Sequence, residues 1–171
     1  MSKFYTPSAF PKKVEEDNYE KGRLFEEYII KLFHGQSFYL KKWRKSQKLD
    51  DIYSNIDLLN PDIELELVFT GAKRYRFAVE CKWKSRFYNG RIKWAKDHQI
   101  CAYRIFQDRT RIPVFVAIGI GGEPGNPEKL FLTPLDNIFM YEELYEENLI
   151  PYKRKNSREF VEDVQLKLSY P

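Results

Sequence analysis

Hydrophobic and polar residues recur with two different periods along this chain. In YEKGRLFEEYIIKLF, residues 19–33, the apolar side chains follow the spacing of one helical face, and Gly35 is a plausible stop. In PDIELELVF, residues 61–69, apolar and acidic residues alternate strictly, as in a strand with one buried face. The pattern therefore predicts a first helix followed by a long strand.

The same periodicities predict the order of the other elements. They are a short strand at 37–43, a polar loop at 44–60, a turn at 70–73, a strand at 74–83, a helix at 91–107, a fully buried strand at 111–122, a turn region at 123–128 and a strand at 129–135. Helices then flank a mixed central β-sheet, which is an α/β arrangement.

Length and composition limit the number of domains and the compartment. With 171 residues, of which 43% are hydrophobic, we expect one domain over 1–171, with its core at about 20–135 and an extension at each end. The two cysteines, Cys81 and Cys101, lack CxxC spacing, and the N-terminal residues do not form a signal peptide. A cytoplasmic protein is expected, and no apolar run is long enough for a membrane span.

Basic residues occur in clusters although the net charge is only +4. The clusters lie at 41–48, 82–86, 91–96 and 153–155. Such clusters suit a polyanionic partner, whereas a single cluster is more often a solvated face. Aromatic residues interleave with them, which would add stacking surfaces, although core packing explains most of these aromatics equally well.

Charged residues also occur at the end of the predicted strand 74–83, where Glu80 and Lys82 share the face opposite its inward apolar residues. If this strand pairs with the preceding one as a hairpin, two registers match their apolar faces. One register places Asp62 opposite Glu80. The other places Glu64 opposite Glu80 and Asp62 opposite Lys82. Either register gathers carboxylates around one ammonium group, and a divalent cation with oxygen ligands would supply the missing positive charge.

Four short motifs resemble a known nuclease superfamily. Glu80-Cys81-Lys82 is the only acid-x-Lys triplet in the chain, and Pro61-Asp62 precedes it. Together they resemble the PD-(D/E)xK signature of the restriction endonuclease-like superfamily. GRLFE at 22–26 is similar to the first motif of that family, and QICAY at 99–103 matches the QxxxY motif of RecB-like members. The resemblance covers residues 20 to about 120 and implies a restriction endonuclease-like fold.

The resemblance also implies a metal site and a mechanism. Asp62, Glu80 and the Cys81 carbonyl would hold Mg²⁺, with Mn²⁺ as a substitute. Lys82 would lie beside the scissile phosphate, and Glu26 would hold a water on the metal or a second ion. Oxygen ligands of this kind suit Mg²⁺, which polarises phosphate and water.

Gln99 and Tyr103 are four residues apart and share one face of the predicted helix. The resemblance implies that they contact the nucleic-acid backbone or brace the site, but an ordinary amphipathic helix would show the same pattern. The first motif lacks the histidine of RecB-like members, which leaves the number of metal ions open.

Neighbouring residues compete for several of these roles. Glu27 competes with Glu26, while Asp57 and Glu64 compete with Asp62. The position of Asp62 at a strand start after proline favours it. A nucleophilic role for Cys81 is disfavoured, because its parity directs the side chain into the core.

The sequence as a whole predicts a Mg²⁺-dependent deoxyribonuclease. The cations expected to bind DNA follow the acid-x-Lys triplet and are Lys84, Arg86, Arg91, Lys93 and Lys96. The alternatives are a non-catalytic nucleic-acid-binding or assembly module with the same fold, and a structural protein whose acidic hairpin face only forms ion pairs. The oligomeric state is open, a homodimer included.

Overall fold

The computed structural model describes residues 10–35, 37–44, 60–68 and 73–169. The helices are α1 (Phe10–Phe33), α2 (Asp97–Thr110), α3 (Glu146–Leu149) and α4 (Ser157–Ser169). The strands are β1 (Phe38–Trp43), β2 (Ile63–Val68), β3 (Arg74–Lys84), β4 (Arg91–Lys93), β5 (Val114–Ile120), β6 (Lys129–Pro134), β7 (Glu143–Tyr145) and β8 (Lys153–Arg154). No helix within these ranges is both long and apolar enough to cross a membrane.

Six strands form one mixed sheet in the order β1-β2-β3-β5-β6-β8. Strands β3 and β5 are parallel, and all the other neighbouring pairs are antiparallel. Strands β4 and β7 pair separately as a two-stranded ribbon. The predicted α/β class, with a mixed sheet flanked by helices, is confirmed.

The central strands of the sheet, such as β5, are buried on both faces, whereas the edge strand β1 is largely exposed. Helices α1 and α4 cover the face that carries Phe77 and Val79, and Phe160 of α4 lies in the same cluster. Helix α2 covers the opposite face, where Ala78 packs with Tyr103. The alternation that predicted β3 is thus real, but its second face lies under a helix. Glu80 is therefore 2% exposed.

The first of the two predicted hairpin registers is present. Ile63 pairs with Val79, and Leu65 pairs with Phe77. Continued by one residue, this register brings Asp62 alongside Glu80. Residues 45–59 of the predicted loop and 70–72 of the predicted turn lie outside the described residues.

The predicted helix at 91–107 is wrong in its first part. Residues 91–93 form strand β4, and the helix begins at Asp97 and extends to Thr110. Asn89 and Gly90 have φ angles of 50° and 72° and close a two-residue hairpin between Tyr88 and Arg91. Asn-Gly is the dipeptide that favours a tight β-hairpin turn. The residues that follow it therefore form a strand and not the start of a helix.

Candidate active site

Glu80 lies at the centre of the candidate site, near the end of β3. Its Oε1 accepts hydrogen bonds from the Tyr103 hydroxyl and from the Lys82 ammonium group, each at 2.6 Å. Its Oε2 is buried and has no hydrogen-bond partner among the described residues. A buried carboxylate oxygen without a partner is costly. It is also a free ligand for a cation.

Asp62 lies just before β2, at the open end of the hairpin. Its Oδ2 accepts a hydrogen bond from the Cys81 backbone N–H at 2.8 Å. The N–H and C=O groups of one strand residue point to the same side of the strand, so the Cys81 carbonyl also faces Asp62. Burial and the neighbouring Glu80 carboxylate raise the pKa of Asp62 well above its ordinary value.

Lys82 is the cation of this cluster, and its side chain is 22% exposed. Burial lowers its pKa, but the Glu80 and Asp62 carboxylates outweigh burial and hold the pKa above its ordinary value. Lys82 is therefore a charged ammonium group in this arrangement. Such a group can stabilise developing negative charge more readily than it can accept a proton.

Glu26 reaches the site from α1. The Phe25 ring packs over Gly119 of β5, where an added Cβ would come within 2.6 Å of the Phe25 ring. This close approach of helix and strand fixes the direction of the next residue, so Glu26 is 3% exposed. The Trp43 indole N–H donates a hydrogen bond to Glu26 Oε2 at 2.6 Å. The carboxylate of Glu26 also contributes to the raised pKa of Asp62.

A cleft of about 520 Å³ between α1 and the end of β3 is lined by Glu26, Asp62 and Lys82. The charged groups on its walls are Lys21, Glu26, Asp62, Lys82 and Lys84. Acidic groups that attract a cation and basic groups that attract an anion therefore share one cleft. A metal-bound phosphodiester would satisfy both kinds of group.

The competing carboxylates are engaged elsewhere. Glu64 forms ion pairs with Arg44 and Arg76, and Glu27 pairs with Arg23 on the surface of α1. Asp57 lies outside the described residues. Cys81 is buried, and burial raises the pKa of its thiol well above the ordinary value. A thiol in this environment is a poor nucleophile.

The two residues of the predicted QxxxY motif have separate environments. Tyr103 is 3% exposed and bonds to Glu80, as the bracing role requires. The Gln99 side chain instead accepts a hydrogen bond from the Lys96 N–H at 3.0 Å and caps the start of α2. Gln99 therefore acts on the helix end in this structure, and its contact with nucleic acid stays a prediction.

The predicted DNA-binding cations also differ in their surroundings. Arg91 pairs with Glu143 of β7, and Lys93 pairs with Glu142, the residue before β7. Lys84 and Arg86 form no ion pair with a carboxylate in the described part of the chain. Lys96 is exposed at the start of α2. The five cations are thus unequal in the charge they can offer to DNA.

Sequence reasoning missed two contacts that shape the site. Trp43 follows two lysines in the basic cluster at 41–48, and its indole N–H donates a hydrogen bond to Glu26, seventeen residues away in the sequence. Arg44 was part of a basic cluster, yet it binds both Glu64 and the Pro61 carbonyl. Both side chains come from the end of β1, and the pairing of β1 with β2 could not be foreseen from composition.

The residues fit a divalent cation with few protein ligands. No three His, Cys, Asp or Glu side chains form a ready-made metal group in the described ranges. Mg²⁺ does not need three, because it commonly binds through one or two carboxylates and keeps several waters. The unpartnered Glu80 Oε2, the Asp62 carboxylate and the Cys81 carbonyl meet that requirement.

Comparisons with known proteins address the fold. No family model matches the sequence, and no curated protein matches it. Among solved structures, the chain is similar to Hjc, a Holliday junction resolvase from the archaeal hyperthermophile Archaeoglobus fulgidus. The TM-score is 0.53 at 15% identity, over 77% of this chain and 93% of the resolvase. The chain has a restriction endonuclease-like fold.

The restriction endonuclease-like fold confirms the fold that the motifs implied. At 15% identity the similarity concerns the backbone arrangement and assigns no residue a role. The RecB-like character of the QxxxY motif is not confirmed by it. The chemistry of the site depends on the side chains in and around the cleft.

Proposed function

We propose that this protein is a divalent-metal-dependent nuclease that hydrolyses phosphodiester bonds in DNA. The observation that carries the proposal is the arrangement around Glu80: one oxygen is held by Tyr103 and Lys82, and the other is buried and unpartnered among the described residues. The neighbouring Asp62 and Lys82 line the cleft. The fold shared with a protein named as a Holliday junction resolvase supports the same conclusion.

Asp62, Glu80 and the Cys81 carbonyl would hold Mg²⁺ or Mn²⁺, with Glu26 close enough to orient a water or a second ion. When bound, the cation supplies positive charge that polarises a phosphate oxygen and acidifies water. The Lys82 ammonium group then lies where negative charge develops on the phosphoryl oxygens and stabilises it. Tyr103 keeps the Glu80 carboxylate in one orientation, and Lys84 attracts the neighbouring phosphate.

The decisive experiment is incubation of the purified protein with linear, circular and branched DNA in Mg²⁺, Mn²⁺ or EDTA. Cleavage in either metal and none in EDTA is the expected result. Lys82→Ala is the negative control. Lys153→Ala, at a surface lysine outside the cleft, is the matched positive control that should retain activity.

The same assay separates the alternative of a non-catalytic binding module. That module would bind DNA in all three buffers and cleave none of the substrates. Absence of both cleavage and Mg²⁺ binding by isothermal titration would favour a structural role for the acidic hairpin. Appearance of cleavage in EDTA would contradict the metal-dependent mechanism.

A further inference from the structure

The β4–β7 ribbon carries a row of three residues across its outer face. Tyr88 is bridged to Arg91 through the tight Asn-Gly hairpin, and Arg91 is paired with Tyr145 of β7. Directly paired residues of antiparallel strands project to the same face. Tyr88, Arg91 and Tyr145 therefore lie side by side on one surface, with the two tyrosines about 10 Å apart, twice the spacing of neighbouring strands.

This surface is not needed to bury the core. Tyr88 is 69% exposed and Tyr145 is 51% exposed. The opposite face of the same ribbon supplies the packing, since Ile92 and Leu144 are 4% and 3% exposed and pair with each other. Two large aromatic rings facing solvent on a paired ribbon are surfaces that can accept a ligand.

A cation accompanies the first ring. The Arg86 guanidinium group lies over the Tyr88 ring, 5.2 Å from its centroid. Arg86 has no carboxylate partner among the residues that the structure describes, so its charge is not neutralised locally. One face of Tyr88 thus carries a positive group, and the ring is otherwise open.

The row also lies next to the cleft. Lys84 and Ser85, at the end of β3, line the cleft, and Tyr88 follows Ser85 by three residues. A chain of three residues spans at most about 11 Å. Tyr88 therefore lies within that distance of Ser85 on the cleft wall, and a strand of nucleic acid that leaves the cleft on this side can reach it.

We propose that Tyr88, Arg86 and Tyr145 form a platform that binds an unpaired DNA strand beside the cleft. The tyrosine rings stack on exposed bases, and Arg86 contacts a phosphate beside Tyr88. This inference rests on the proposed nuclease function and deepens it, because it names the form of the substrate. The protein then acts on DNA that is single-stranded on one side of the cut.

The chemistry of the platform selects single strands over duplex. Bases in a duplex are stacked on each other and present only their edges, so a flat ring finds no open base face there. Phosphates are available in both forms, which means that cations alone would not discriminate. The preference for single strands over duplex therefore comes from the tyrosine rings.

The test is fluorescence anisotropy in EDTA, where cleavage plays no part, with labelled dT20, rU20 and a 20-base-pair duplex as probes. Tyr88→Ala and Tyr145→Ala should each weaken dT20 binding by about fivefold or more, the lower end of a lost base–aromatic stack. Duplex binding should change by less than about twofold, because no base face is stacked there. Tyr88→Trp keeps a ring and should retain dT20 affinity.

Tyr39→Ala is the matched control, because Tyr39 is 58% exposed on β1, an edge strand of the six-stranded sheet that is not part of the ribbon. It should bind all probes as the wild type does. Unchanged dT20 affinity in both ribbon variants, or equal losses on dT20 and duplex, would overturn the platform. If the tyrosine rings bound rU20 more tightly than dT20, the assignment of the platform to a DNA strand would be overturned. Ring-dependent dT20 binding without cleavage would refute the nuclease function alone, whereas cleavage without ring-dependent binding would refute the platform alone.

Discussion

The Tyr103 hydroxyl donates a hydrogen bond to Glu80 across the packed interface of α2 and β3, at 2.6 Å. Both side chains are almost fully buried. Burial, followed by the Glu80 charge, raises the pKa of Tyr103 above its ordinary value, so the hydroxyl remains a donor throughout the physiological range. The tyrosine therefore fixes one carboxylate oxygen, while the other is buried and has no hydrogen-bond partner among the described residues.

Tyr103→Phe tests this positioning role. Loss of the donor should reduce metal affinity or cleavage by about 10- to 100-fold, as for other groups that orient a metal ligand. The free energy of unfolding should fall by about 2 kcal/mol, since a buried hydrogen bond to a charged acceptor is lost. Isothermal titration with Mg²⁺ and a cleavage assay measure the first effect, and urea denaturation measures the second.

Gln99→Ala is the matched comparison on the same helix. Because Gln99 caps the start of α2, its loss should cost stability by about 1 kcal/mol and leave Mg²⁺ affinity unchanged. An equal loss of metal affinity in both variants would show that α2 as a whole, and not the Tyr103 hydroxyl, orients Glu80.

Lys82→Ala should reduce cleavage by about 100-fold or more while Mg²⁺ binding survives, since the ammonium group is not a ligand. The variant leaves the buried Glu80 without its cation, so its melting temperature in EDTA should fall. Added Mg²⁺ should then raise the melting temperature by more than in the wild type. Differential scanning fluorimetry with and without Mg²⁺ checks this, and cleavage at the wild-type rate would refute the mechanism.

Asp62→Asn and Glu80→Gln should both weaken Mg²⁺ binding, yet they should change stability in opposite directions. The ionised Asp62 is repelled by Glu80 and Glu26, and Asn can still accept the Cys81 hydrogen bond, so Asp62→Asn should stabilise the metal-free protein at neutral pH. Glu80→Gln removes the anion that Lys82 binds and should destabilise it. Thermal melts in EDTA compare the two.

Glu64→Gln is the control for these carboxylates. Glu64 shares the acidic pattern of β2 but is paired with Arg44 and Arg76. Its loss should lower stability and leave Mg²⁺ affinity as in the wild type. If Glu64→Gln abolished metal binding, the choice of Asp62 as the ligand would be wrong.

The sequence predicted the fold best where the alternation of apolar residues in a strand also limits how that strand can pair with the next one. Strict alternation from Ile63 to Leu67 fixed which residues of β2 face the core, and parity then limited the hairpin to two registers. Asp62 and Glu80 could be brought together on that basis. The Trp43–Glu26 contact could not, because it depends on how β1 and α1 meet in space.

A local turn signal explains why the first part of the helix predicted at 91–107 was wrong. The apolar positions after residue 90 suited a helix, but the Asn89-Gly90 turn forces positive φ angles and a hairpin. Turn chemistry therefore outweighed hydrophobic period at Arg91. The C-terminal elements, from β7 onwards, had no comparable signal, and α4 is held by packing of Phe160 against Phe33 from the other end of the chain.

The surroundings of the basic residues predict an order in their contributions to DNA affinity. Lys84 and Arg86 have no carboxylate partner in the described ranges, whereas Lys93 is neutralised by Glu142 and Arg91 by Glu143. A lysine or arginine releases counterions from DNA only if its charge is available to neutralise a phosphate. Lys84→Ala and Arg86→Ala should therefore lower the salt slope of duplex or single-strand binding by roughly one unit each.

Lys93→Ala should lower that slope by much less, because its charge is already shared with Glu142. The measurement is filter binding in Ca²⁺ over a range of salt concentrations, with unrelated DNA sequences of equal length. Losses should be the same on each sequence, since phosphate contacts carry no base information. Equal slopes for Lys84→Ala and Lys93→Ala would mean that a DNA phosphate replaces Glu142 as the partner of Lys93. An unchanged slope in both Lys84→Ala and Arg86→Ala would place the DNA surface away from the end of β3.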